Sequence, residues 1–196
     1  MGIFMRFGKI KGDATQIMPT NPGYETGWIP VEEFHWGIDS SITTKAGKPA
    51  SPNRGPKNPK LRDVTVKKDV DLSSIALLDK LQTDEKGQDC QIVFLRTGNP
   101  GAAYLAYDLK DTLIKTYTVG PGKDGRPDET LTLTFTEVTI HVVQLEEDNT
   151  GGAIDNITIQ IDATGGASSP PSGGVGFVHH DDHGQHHVDG RNYSYR

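Results

Sequence analysis

Residues 130–145, TLTLTFTEVTIHVVQL, decide how this chain folds. Leu131, Leu133 and Phe135 share one parity, and Val138, Ile140 and Val142 then take the other. Two-residue alternation marks a strand with one buried face, so the stretch reads as a single long strand whose facing changes part-way. One end faces a core and the other faces a neighbour. A small barrel that also buries its outside against copies of itself needs such strands, and an assembly protein is the first reading.

The same alternation recurs on either side. In IFMRFGKI (3–10), Ile3, Met5 and Phe7 alternate with Phe4 and Arg6, which predicts an opening strand that stops near Gly12. In WIPVEEFHWGI (28–38), Ile29 and Val31 share one face while Phe34, Trp36 and Ile38 share the other parity, a slip that one inserted residue, a β-bulge at Glu32–Glu33, would produce. Strands are also expected at 63–66, at QIVFLR (91–96), at AAYLAYDLKDTLIKTYTV (102–119, bent near Asp108–Asp111) and at NITIQI (156–161). Between them, DVDLSSIALLDKLQTDEKG (69–87) reads as a helix. Asp71 or Ser73 caps it, Leu72, Ile75 and Leu78 with Leu77 and Leu81 give the spacing, and Gly87 follows the last turn. The expected fold class is all-β: a small two-sheet β-barrel with one flanking α-helix and a C-terminal extension.

The 196 residues suit one domain plus an appendage. The division expected is 1–147 for the barrel, 148–164 for an extra strand segment, and 165–196 for a flexible Gly/Ser/Pro linker with a His-rich tail. The net charge of −6 is unevenly spread: residues 1–70 carry 11 Lys/Arg against 7 Asp/Glu, and residues 71–150 carry 7 against 14. Complementary ends steer copies head to tail. An acidic pI of 5.6 and no basic stripe with aromatics argue against a nucleic-acid partner. Cys90 is the single cysteine, which excludes a disulfide scaffold within the chain. MGIFMRFGKIKGD has no apolar signal region, and no apolar run approaches the ~18–20 residues of a membrane span. Export without a cleaved signal peptide therefore needs a dedicated machine.

The chemistry-bearing residues do not assemble a catalytic set, so no enzyme and no cofactor is expected. His179, His180, His183, His186 and His187 lie within nine residues, interleaved with Asp181 and Asp182, and suit weak binding of a borderline divalent metal. The tract lacks the Glu general base of a HEXXH motif and any apolar surround. Cys90, beside an apolar run, reads as a buried structural thiol. His35, between Phe34 and Trp36, and His141, on the polar parity of its strand, read as structural or interface residues. Gly120, Gly122, Lys123 and Gly125 miss the phosphate-loop spacing and precede a strand rather than a helix. Glu32–Glu33 and Glu146–Glu147 are adjacent on strands and point to opposite faces.

Residues 43–61, TTKAGKPASPNRGPKNPKL, form a basic loop with four prolines and no acid. Its length inside a compact domain points to a function. Lys45, Lys48, Arg54, Lys57 and Lys60 are candidates to meet acidic groups of another copy within 108–129, where Asp108, Asp111, Asp124, Asp128 and Glu129 lie. The candidate interface between neighbouring copies is Phe34, Trp36 and Ile38 with Val138, Ile140 and Val142, the stretches where apolar residues switch parity.

The order of motifs resembles the Hcp family, the haemolysin-coregulated tube proteins of bacterial type VI secretion systems. The resemblance rests on FMRFGKIKGD, WIPVEEFHWGI, LRDVTVKKDVD, QIVFLRTG, LAYDLKDTLIKTYTVG and RPDETLTLTFTEVTIHVV, which together cover about residues 3–145. It implies a ring-forming, phage tail tube-like barrel whose six-membered rings stack into a hollow tube. It also implies partners in the spike, sheath and baseplate of the machine, and effectors carried inside the ring. The subunit would be cytoplasmic when assembled and secreted by the type VI machine, with no membrane insertion. Loop 43–61 occupies the place of the family's extended loop between rings, with an unusual composition, and the tail beyond 148 lies past the usual end. A second reading is an exported β-sandwich binding or effector protein with a metal-binding His-rich tail.

Overall fold

The computed structural model describes residues 2–14, 27–41, 57–98, 102–145 and 151–161, together with 167–168, 179–180, 186–188 and 191–193. Two sheets face each other and share one strand. The two sheets do not close into a full barrel, and their strands are β1 (Gly2–Phe7), β2 (Ile29–Val31), β3 (Glu33–His35), β6 (Val64–Asp69), β7 (Gln88–Arg96), β8 (Ala102–Pro121), β9 (Pro127–Thr134), β10 (Glu137–Leu145) and β11 (Gly151–Ile161). A hairpin of β4 (Ile38–Ser41) and β5 (Lys57–Leu61) stands apart, and α1 (Ser73–Thr83) is the one α-helix among the described residues. The first sheet runs β11-β10-β8-β7-β1-β2, and the second runs β8-β9-β6-β3, all antiparallel. The first half of β8 pairs with β7 and β10, and its second half pairs with β9.

The joint in β8 lies where the sequence predicts a bend. Asp111 takes a left-handed φ of 48°, a conformation that only short polar residues and glycine adopt readily. The Thr136 hydroxyl donates to Asp111 Oδ2 at 3.0 Å, and the Thr136 N–H donates to the Lys110 carbonyl at 3.0 Å. This tie makes the corner at which β9 becomes β10. The stretch 130–145 is therefore two strands in two layers rather than one, and the parity change at Phe135–Thr136 is the chain crossing from one sheet to the other. The slip at Glu32 has the same cause. Val31 pairs with Ile3 in the first sheet, Glu33 pairs with Lys67 in the second, and no bulge is needed.

Leu131, Leu133, Val64 and Val66 of the second sheet meet Met5, Phe7, Ile92, Phe94, Leu109 and Val138 of the first, with Leu77 of the helix among them. Each fully buried side chain of this size contributes about 1.5–3 kcal/mol, and this is the main source of stability. A smaller cluster of Trp28, Val93 and Leu95 forms on the other face of the first sheet, where the Arg6 guanidinium lies 4.5 Å over the Trp28 ring.

The helix starts at Ser73 with Leu72 at the N-cap position, which offers no side-chain cap, and just before it Asp71 Oδ1 accepts the Ser73 N–H at 2.9 Å. Leu77 is fully buried and Leu81 packs on the core, but Leu72 and Ile75 point outward. Beyond β11, a short β12 (Ala167–Ser168) pairs with its end, and β13 (His179–His180), β14 (His186–Val188) and β15 (Arg191–Tyr193) form a separate small sheet.

Candidate functional site

The register of the first sheet divides its side chains cleanly. Tyr107, Ile140 and Ile157 stand opposite one another on β8, β10 and β11, on the same face as Leu109, Val138 and Ile159. Val138 is fully buried and Ile159 nearly so, whereas Val142 and Ile157 are each 49% exposed. The core face of this sheet thus runs out from under the second sheet through the apolar Tyr107, Ile140, Ile157 and Val142, with Asp155 opposite Val142. Beside the strip, Phe34 packs 4.8 Å from Tyr107 and 5.3 Å edge-on to Phe94, and Trp36 lies 5.6 Å from Tyr107.

Of the residues predicted for a contact between copies, Phe34 and Trp36 are half-buried in this aromatic group and Ile38 is 42% exposed at the start of β4. Ile140 is partly covered, Val142 is open, and Val138 lies in the subunit's own core. Tyr107 and Ile157 belong to the same strip but were not among the residues singled out. Their signal is parity: Tyr107 lies on the parity of Leu105 and Leu109, and Ile157 on that of Ile159.

In the basic loop, Lys60 is exposed on β5 and pairs across the hairpin with Asp39, Lys57 pairs with Ser41, and Lys45, Lys48 and Arg54 lie outside the described residues. The acids expected to receive this loop are mostly engaged within the subunit. Glu129 Oε2 lies 2.6 Å from Lys68 Nζ with both side chains fully buried, and Glu129 Oε1 accepts the Tyr117 hydroxyl at 2.6 Å. Burial, then this bond to Glu129, pushes the Tyr117 phenol up. Lys68 Nζ also contacts Asp71 Oδ1 at 2.8 Å, the Asp69 carbonyl at 2.7 Å and Ser74 Oγ at 3.3 Å. Burial acts to raise the Asp71 carboxyl, but the bonds from Lys68 and Ser73 outweigh it, so the group titrates below the ordinary aspartate value. Asp128 is held by Lys67 at 2.6 Å. Carboxylate oxygens of Glu32, Asp69 and Asp128 lie within 4.8 Å of one another, a cluster that Lys67 already neutralises in part.

Away from the Trp28 cluster, the opposite face of the first sheet is polar across β8, β10 and β11 and forms a cleft of about 520 Å³. Gln91 Nε2 donates to Asp108 Oδ1 at 2.7 Å, and His141 Nε2 lies 3.0 Å from Asp108 Oδ2. Burial raises the Asp108 carboxyl, but the bonds from His141 and Gln91 prevail and hold it below the usual value. Cys90 borders the cleft, yet its side chain belongs to the core face, since Cys90 pairs with Leu109 and Phe7 while Gln91 pairs with Asp108. Burial, reinforced by the Asp108 charge, pushes its thiol far up. A protonated thiol on the other side of the sheet cannot serve a His–Asp pair as nucleophile. His35 is exposed, 3.6 Å from Glu33.

In the tail, His179 stands opposite His187 and His180 opposite His186 in backbone register, while His183 lies outside the described residues.

A family model described as "Type VI secretion system effector, Hcp" matches residues 4–142. No curated protein sequence matches the chain. Among solved structures, one called "Structure of a type six secretion system protein" superposes with a TM-score of 0.69 at 17% identity, over 85% of this chain and 99% of the other. A type VI secretion system effector from Yersinia pestis gives 0.57 at 16%, over 81% and 99%. Hcp1 from Salmonella typhimurium gives 0.56 at 19%, over 80% and 93%. At these identities the structural likeness is one of fold, whereas the family match spans well over half of the sequence. The chain belongs to the Hcp family of type VI secretion system proteins.

Proposed function

We propose that this chain is a structural subunit of the inner tube of a bacterial type VI secretion apparatus, forming hexameric rings that stack and carrying effectors in their lumen. The observation that carries this reading is the apolar strip Tyr107–Ile140–Ile157 with Val142, which leaves the cover of the subunit's own second sheet. Burial against a neighbour recovers about 25 cal/mol for each Å² of apolar surface removed from water. Phe34, Trp36, Ile38, Ile140 and Val142 form the contact, and Val138 backs it from inside. Lys45, Lys48, Arg54, Lys57 and Lys60 belong to the loop that meets the next ring. Spike, sheath and baseplate proteins are the further partners. Residues 1–147 are the tube domain, 148–164 add a strand segment, and 165–196 are an appendage. The subunit assembles in the cytoplasm and leaves through the machine.

Light scattering coupled to size exclusion tests the reading. The wild type at micromolar concentration gives the mass of a hexamer. Val142→Glu with Ile157→Glu lowers the mass to that of the monomer and leaves the melting temperature of the subunit close to the original. A wild type that stays monomeric across this range overturns the proposal.

A further inference from the structure

The helix is inside out at its N-terminal end. Ser73 and Ser74 are buried, where Ser74 Oγ accepts the Asp71 N–H at 2.9 Å and touches Lys68, while Leu72 is 80% exposed and Ile75 77% exposed. These two residues are one helical turn apart and stand on one face. Val70, just before them, is also exposed. The buried Lys68 explains the serines, since its ammonium needs oxygen acceptors and has Ser74 Oγ as one of them. Nothing within the described residues covers the leucine and the isoleucine.

Beside Leu72 lies a hollow of about 780 Å³ formed by the turn after β1, with Ile10 and Ala14 in its wall and Lys9 and Lys11 on its rim. Lys9 and Lys11 make no ion pair among the described residues. The nearby acid, Asp13, is turned to the Leu72 backbone N–H at 3.4 Å. Further along the helix, Asp79 is exposed, and Lys80 is held by Asp84 at 2.8 Å. The face is therefore apolar in the middle, cationic at the end toward the hollow and anionic beyond.

We infer that this face is a docking site for an amphipathic, acidic helix of a partner protein. Its leucine-type residues cover Leu72 and Ile75, and its carboxylates meet Lys9 and Lys11. Charge complementarity fixes the direction of the partner, with its acidic positions toward the hollow and away from Asp79. The site is separate from the strip proposed to join subunits, and it holds whether or not the chain forms rings.

The test uses the full-length protein and a fluorescein-labelled amphipathic peptide with leucines on one face and glutamates on the other, followed by fluorescence anisotropy. The wild type binds it saturably. Leu72→Ser, Ile75→Ser and the pair Lys9→Glu with Lys11→Glu each weaken binding about tenfold or more, with unchanged circular dichroism. The same peptide with lysines in place of glutamates does not bind. Three results overturn the inference: a wild type that ignores the acidic peptide, variants that bind it as well as the wild type does, or a Leu72→Ser protein of lower molar mass, which would show a second copy on this face.

Discussion

Lys68 Nζ lies 2.6 Å from Glu129 Oε2, and neither side chain has any exposed surface. This pair joins β6 to β9, and through Asp71 and Tyr117 it reaches the helix and β8. Removing one partner leaves a buried charge alone, so Lys68→Met is expected to cost about 3–5 kcal/mol. Replacing both, Lys68→Met with Glu129→Leu, recovers the part of that loss due to the stranded Glu129 charge, while Asp71 still lacks its ammonium partner and the Tyr117 hydroxyl its acceptor. Urea melts of the single and double variants measure the difference, and a double variant no better than the single one contradicts this account.

Asp71 makes part of the same network pH-dependent. Its carboxyl titrates below the ordinary aspartate value of about 3.9. A group with a depressed folded value contributes stability above the unfolded value and loses it as pH falls through the folded one. Asp71→Asn therefore melts below the wild type at neutral pH, and the gap closes as acid protonates the native carboxylate. Thermal melts at neutral pH and below about pH 3 check the sign.

The corner of β8 predicts a contrast between close substitutions. A Cβ on Gly87 would lie 2.1 Å from the Asp111 carbonyl carbon, and backbone on both sides has to move to admit it. Gly87→Ala is expected to cost about 1–3 kcal/mol. Asp111→Asn is nearly neutral, since asparagine tolerates the left-handed conformation and keeps an acceptor for Thr136. Asp111→Val loses about 1–2 kcal/mol or more, through β-branching at positive φ. Denaturant midpoints separate the three.

These elements also show what could be read beforehand. The strand parities and the bend at Asp108–Asp111 were legible, because each rests on local chain chemistry, whereas the expected cap at Asp71 or Ser73 gave way to Leu72 at the N-cap position. The crossings at Glu32 and at Phe135–Thr136 were not legible, because a parity slip looks the same whether a residue bulges out or the chain changes layer. Lys68 went unnoticed and Glu129 was read as an acid open to another copy, although Lys68 shares the parity of Val64 and Val66, and Glu129 that of Leu131 and Leu133. A charge on a buried parity is intelligible only once its partner, far along the chain, is seen beside it. The apolar strip was half legible: Ile140 and Val142 stood out, whereas Tyr107 and Ile157 needed the register.

The basic loop gives a prediction about stacking. Reversing Lys48, Arg54 and Lys57 to Glu should leave the ring mass intact and abolish stacks. Raising the salt should weaken wild-type stacks, since exposed charges are screened beyond about 8–10 Å at 0.1–0.15 M. Electron microscopy at low salt reads the outcome, and normal stacks from the variant exclude the loop as the contact. With Glu129 and Asp128 engaged internally, the receiving acids must be others.

Deleting residues 165–196 should leave ring mass and melting temperature nearly unchanged, because a Gly/Ser/Pro segment followed by a polar tract buries little apolar area. The deletion removes the short ladder of β12 on the end of β11 at Gln160–Ile161 and the contacts of β12 with β5 and of β13 with β11. A large drop in melting temperature would show that the tail is packed.

The strand shared by both sheets has a mechanical consequence. A load that slides one layer over the other passes along the covalent backbone of β8, through Lys110, Asp111 and Thr112, and not only across side-chain contacts. The ladders on either half of β8 run antiparallel to their neighbours, so tension along this strand strains many hydrogen bonds at once instead of peeling them singly. A subunit of this design resists such a load with both layers together.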